Sequence, residues 1–140
     1  MTQCAWRLAP VLLAAVLAVG CAPTDASLDH GDPNAPRISH LRFEPTVIRA
    51  GETTRMSFYF LVGTADIQQA FLVERGFSEF QFYQTLQKLP IDLRQYAGQV
   101  AGTAEVPLSW TSLGIRRLEL YIVTKQGQES NRVSATLTVR

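Results

Sequence analysis

Few side chains in this sequence could do chemistry, and they are scattered. The cysteines are Cys4 and Cys21, and from Ala22 to Arg140 there are none. That excludes a disulfide framework, a thiolate metal site and a thiol nucleophile from the body of the chain. The histidines are His30 and His40. His30 stands beside Asp29 and near Asp32, but in a Pro- and Gly-containing stretch that reads as a spacer, so neither a metal nor a cofactor is expected. His40 precedes Leu41 on an edge strand and reads as a solvent-facing or satisfied side chain. Asp66, Glu74, Glu79 and Asp92 are carboxylates that could pair for glycoside hydrolysis. Acids at such loop positions ordinarily stay solvated. There is no Gly-Xaa-Ser-Xaa-Gly elbow, no His-Glu-Xaa-Xaa-His pair and no phosphate-cradling glycine loop. An enzyme is not expected. The remaining candidates for ligand contact are the rings of Phe77, Tyr83, Tyr96 and Trp110. Stacking on a glycan needs ring faces exposed side by side, whereas rings in a domain this small usually fill its core.

The elements that would carry these residues fit one domain. The chain has 140 residues and is 46% hydrophobic, enough for a single core. Its formal charge is +1, and without Arg7 the basic and acidic side chains balance. No block of like charge appears. Electrostatic attraction to nucleic acid or to an anionic membrane face therefore has no visible basis.

Leu8 to Gly20 is an apolar run broken only by Pro10, and Arg7 precedes it. The run is too short for a spanning helix, which needs about 20 residues, but it suits a signal peptide. Small residues, Ala18, Val19 and Gly20, crowd its end before Cys21. The stretch "LAVGC" resembles the lipobox of bacterial lipoprotein signal peptides. Ala18 stands where that family usually has a larger aliphatic residue. The resemblance implies cleavage between Gly20 and Cys21, with Cys21 as the lipidated first residue and the membrane as partner through its acyl chains. Two or three chains hold a protein essentially permanently, since each buried methylene contributes about 0.8 kcal/mol. Ala22, not Asp, follows the cysteine, which in that family favours the outer membrane. The residues alone also allow an ordinary signal peptide cut elsewhere, for instance after Ala22.

Residues 22–36, "APTDASLDHGDPNAP", hold Leu28 as their one large apolar residue. They cannot bury enough surface to order themselves. As a coil, such a spacer reaches about 20 Å on average. The expected division is a signal peptide over 1–20, a lipidated cysteine and disordered tether over 21–37, and a folded body over 38–140.

In the body, period-two alternation predicts strands at 38–43, 46–49, 53–62, 67–75, 79–84, 99–108, 115–124 and 132–139. Thr54, Met56, Phe58, Phe60 and Val62 share one parity. Leu118, Leu120 and Ile122 alternate with Glu119 and Tyr121. Phe58, Phe60, Leu120, Ile122, Leu137 and Val139 are the expected core, with Trp110 covering one end. Residues 75–98 conform least. Phe82, Leu86, Leu89 and Leu93 have helical spacing that Pro90 would break, so a strand over 79–84 followed by a loop or helical turn is expected. The order of "FEPTVIRAGE", "VPLSW" and "SLGIRRLELYIVTKQGQESNRV" resembles bacterial immunoglobulin-like domains. That resemblance implies an all-β, antiparallel sandwich of about seven strands. Such a domain at the envelope implies a protein-interaction or accessory module, binding a protein partner through a sheet face, a strand edge or end loops. A glycan-binding module using the four rings is the alternative.

Overall fold

The structure is a computed structural model that describes residues 34–77 and 83–140. The proposed signal peptide, Cys21, most of the tether, and the side chains of Phe77 and Tyr83 lie outside the described residues.

Eight strands form two facing sheets. They are β1 (Arg37–Glu44), β2 (Val47–Ile48), β3 (Thr53–Leu61), β4 (Ile67–Phe77), β5 (Tyr83–Asp92), β6 (Ala101–Ser109), β7 (Gly114–Thr124) and β8 (Val133–Val139). One sheet has the order β1-β3-β6, the other β2-β8-β7-β4-β5. Every pairing is antiparallel except the short β2–β8 run. The chain crosses between sheets after β1, β2, β3, β5 and β6. That Greek-key path, with the first strand split between both sheets, defines an immunoglobulin-like sandwich.

Alternation builds the core. Met56, Phe58 and Phe60 of β3 face Leu118, Leu120 and Ile122 of β7, with Leu137 and Val139 of β8, and all are buried. Full burial of one such side chain stabilises by about 1.5–3 kcal/mol. Thr54 shares the buried parity of β3, and its hydroxyl donates to the Pro45 carbonyl at 2.8 Å, so its burial leaves no unmet donor. Trp110 packs edge-on against Phe43 at 6.3 Å and closes one end of the core, as expected.

The sequence reading needs correction between 75 and 98. The strand begun at Ile67 runs on to Phe77, and the next is Tyr83–Asp92. Pro90 sits inside that strand, opposite Phe71. It is tolerated because β5 is the outermost strand of its sheet. Leu89, Ile91 and Leu93 turn inward at period two, and this outweighs their partial match to a helix. A 3-10 turn, Arg94–Tyr96, follows. The predicted strand at 46–49 is only Val47–Ile48.

Two side chains seal the fold's margins. Asn131 mimics a strand partner for β1, accepting from the Ile38 N–H at 2.8 Å and donating to its carbonyl at 2.9 Å. Tyr96 does the same for β6, where its hydroxyl accepts from the Glu105 N–H at 2.8 Å and lies 3.3 Å from the Glu105 carbonyl. Pro107, two residues on along the same edge, has no N–H to offer. The outer edge of β6 is thus closed to another strand.

Candidate functional site

The four ring candidates do not converge. Tyr96 is half-buried, edge-on to Phe60 at 5.8 Å, with its hydroxyl on β6. Trp110 is spent on the core. Phe77 and Tyr83 are cross-strand neighbours at the far end of the β4–β5 pair. Tyr96 and Trp110 are both partly buried against the core.

The acids and histidine do not converge either. Glu74 is held inside by Arg116, whose Nη1 meets its two oxygens at 2.6 and 2.7 Å. Asp92 is exposed, and hydrogen bonds from Arg94 hold its carboxyl down at about 2. Asp66 lies in the loop before β4, and its carboxylate oxygens make no hydrogen bond among the described residues. Glu79 lies outside the described residues. His40 occupies a bulge in β1 at φ +58°, with Ser39 Oγ 2.8 Å from its Nδ1. Among the described residues that serine is the one side chain hydrogen-bonded to the ring.

The outer face of the five-stranded sheet carries the most organised chemistry. Residues 115, 117, 119 and 121 of β7 point away from the core, because 116, 118, 120 and 122 are buried. The register places their neighbours in cross-strand rows. Val47, Thr138 and Ile115 make the first. Thr136, Arg117, Arg75 and Thr85 make the second. Ser134, Glu119, Val73 and Lys88 make the third, and Tyr121, Phe71 and Pro90 the fourth.

These rows have two characters. At the aromatic end, Phe71 and Tyr121 lie 5.4 Å apart and are roofed by cations. Lys88 Nζ sits 4.0 Å from the Phe71 centroid, and the Arg132 guanidinium 4.3 Å from that of Tyr121. Arg132 and Arg75 both donate to Glu119 Oε1 at 2.9 Å. Burial pushes the Glu119 carboxyl up, but those two hydrogen bonds outweigh it and hold the carboxyl below its ordinary value. This end is internally satisfied.

The other end is not. Ile115 is 73% exposed, Leu113 69% and Val47 42%. Beside them Arg117 is exposed and has no acidic partner among the described residues, and directly across the strand stands another cation, Arg75. Like charges directly opposite repel, and Glu119 offsets only Arg75. A shallow recess of about 540 Å³ runs between Arg75, Arg117, Glu119, Ser134 and Thr136. Cations and hydroxyls thus line a hollow next to bare aliphatic surface.

Sequence reasoning missed this face. One signal was present: in "GIRRLELY" Ile115 shares the wet parity of Arg117 and Glu119, so an aliphatic side chain must face solvent.

Strand order and site together define an immunoglobulin-like domain with an unsatisfied sheet face. No protein-family profile and no curated protein matches the chain. Similar solved structures include the sporulation control protein Spo0M from Bacillus subtilis, at 12% identity and TM-score 0.47, matching 76% of this chain. The chain spans about half of that protein, 49%. A Niemann-Pick type C2 protein from the Japanese carpenter ant matches at 11% identity and TM-score 0.47, over 76% of this chain and 93% of that one. The PKD domain of an M14-like peptidase from a Thermoplasmatales archaeon matches at 14% and 0.43, over 76% and 93%. The strand order, not these likenesses, defines the fold.

Proposed function

We propose that the chain is a lipid-anchored protein of the bacterial envelope whose sandwich is a non-catalytic protein-interaction module. The observation that carries this reading is the exposed corner of Ile115, Val47 and Leu113 beside Arg117, which has no acidic partner among the described residues. Grouped aliphatic surface rimmed by polar groups is the mark of a docking face. "LAVGC" supports the anchor, with cleavage after Gly20 and lipidation of Cys21, and Ala22 supports the periplasmic side of the outer membrane. The inward placement of Tyr96 and Trp110 weighs against glycan stacking.

Two measurements test it. Cys21→Ser should release a soluble form or leave an uncleaved precursor; unchanged mass and membrane fractionation would sink the anchor. A photo-crosslinking residue at Ile115 in the native envelope should trap one stoichiometric protein. Recovery of peptidoglycan fragments alone would reverse the ranking in favour of glycan binding.

A further inference from the structure

Resting on that reading of the face, we propose that the partner presents an extended, acidic segment. Its carboxylates seat against Arg117, in the field of neighbouring Arg75, and its apolar side chains cover Ile115 and Val47. Charge selects the partner. Among the described residues Arg75, Arg117, Lys88 and Arg132 stand together on this face; Glu119 is already shared by two arginines, Glu129 lies 3.4 Å from Arg132 and Asp92 is held by Arg94, which leaves Arg117 without an acid. A carboxylate is the group that completes a planar guanidinium such as Arg117, through paired N–H donors. Ser134 and Thr136 add hydroxyl donors to the same hollow.

Spacing selects the partner's shape. Ile115 and Arg117 are two residues apart on one strand, roughly 7 Å. A partner segment in strand conformation shows every second side chain to this face, so apolar and acidic residues two apart meet aliphatic surface and cation in turn. A second copy of this chain fits badly, because face-to-face pairing sets these cations against one another.

The test uses the full chain in nanodiscs of zwitterionic lipid, with a fluorescent twelve-residue peptide of repeating Leu-Ser-Glu-Ser as probe, which shows Leu and Glu in turn on one strand face. Anisotropy should report binding that weakens with salt. Arg117→Glu should reduce affinity at least about tenfold, and Ile115→Ser should weaken it as well. Both positions are exposed, and an unchanged melting temperature certifies the fold. Four outcomes overturn the proposal. One is equal binding of the same peptide with Lys in place of Glu. Another is binding indifferent to Arg117→Glu. A third is displacement of the peptide by phosphatidylglycerol placed in the disc, which assigns the face to lipid. The last is binding that rises sharply when Asp25, Asp29 and Asp32 are changed to Asn, which assigns it to the chain's own acidic segment. If Ile115 traps an envelope protein while the acidic peptide fails to bind, the interaction reading stands and the acidic partner falls. If both are silent, the interaction reading falls too.

Discussion

Replacing Glu74 with Leu should destabilise the domain far more than replacing Glu74 and Arg116 together. Arg116 lies on the inner face of β7, its side chain 10% exposed, and meets Glu74, 13% exposed, at 2.6 Å. Its other terminal nitrogen, Nη2, donates to the Ser112 carbonyl at 2.7 Å and to the Ser112 hydroxyl at 2.8 Å. Glu74→Leu strands a guanidinium in a nearly dry site. Breaking a buried pair from one side costs about 3–5 kcal/mol, and the slight exposure here argues for the lower end. At roughly 4–8 °C per kcal/mol for a domain of this size, a loss of about 3 kcal/mol lowers the melting temperature by about 12–24 °C. Glu74→Leu with Arg116→Met removes both charges and keeps much of the volume, so it should recover to within about 1 kcal/mol of the parent. Calorimetry of the parent, both single variants and the double completes a double-mutant cycle. Additive losses, or a neutral Glu74→Leu, would refute the premise that the pair is effectively desolvated. The pair also matters to the exposed aliphatic corner, since Ser112 is next to Leu113 and Arg116 next to Ile115.

Tyr96→Phe keeps the ring on Phe60 but strips the hydroxyl from the Glu105 backbone. Stability should fall by about 1 kcal/mol, and sedimentation should show self-association through the opened β6 edge; a strict monomer would refute edge closure. Gly114 opens β7 at φ +131° with nothing within 4 Å of an added Cβ. Gly114→Ala should therefore cost about 1–3 kcal/mol of pure backbone strain, read by chemical denaturation. Glu119 has its folded pKa lowered, so its contribution is fully present above the unfolded value of about 4.3 and is lost as pH falls through the folded value. The melting temperature should be flat from pH 7 to about 5 and fall below that, and Glu119→Gln should flatten the fall while lowering stability at pH 7.

The sandwich was legible because its core strands obey alternation locally. Phe58, Phe60, Leu120, Ile122, Leu137 and Val139 are all buried as their parity requires. β5 was not legible, because Leu86, Leu89 and Leu93 fit a helix as well as a strand, and only its place at a sheet edge lets Pro90 stay. The exposed sheet face was half legible. Ile115 on a wet parity could be read from one strand, but setting Arg75 beside Arg117 and Val47 beside Thr138 requires the register of four strands, which no local pattern encodes. The rings failed as a site because one is needed to close β6 and another to close the core.

The parallel run of β2 beside β8 sets how the domain bears mechanical load. Thr138 N–H donates to the Thr46 carbonyl at 2.9 Å, Arg140 N–H to that of Ile48 at 2.9 Å, and Ala50 N–H to that of Arg140 at 3.1 Å. A pull on the chain before β1, opposed by a hold at Arg140, drags these strands past each other along their length. The three bonds lie across that direction and share the force, whereas strands peeled from one end would surrender bonds singly. Stretching single molecules between those two points should give one abrupt high-force step, and a staircase of small releases would mean that the bonds part in turn. The proposed anchor before β1 would load the domain in this direction, along which it is built to hold.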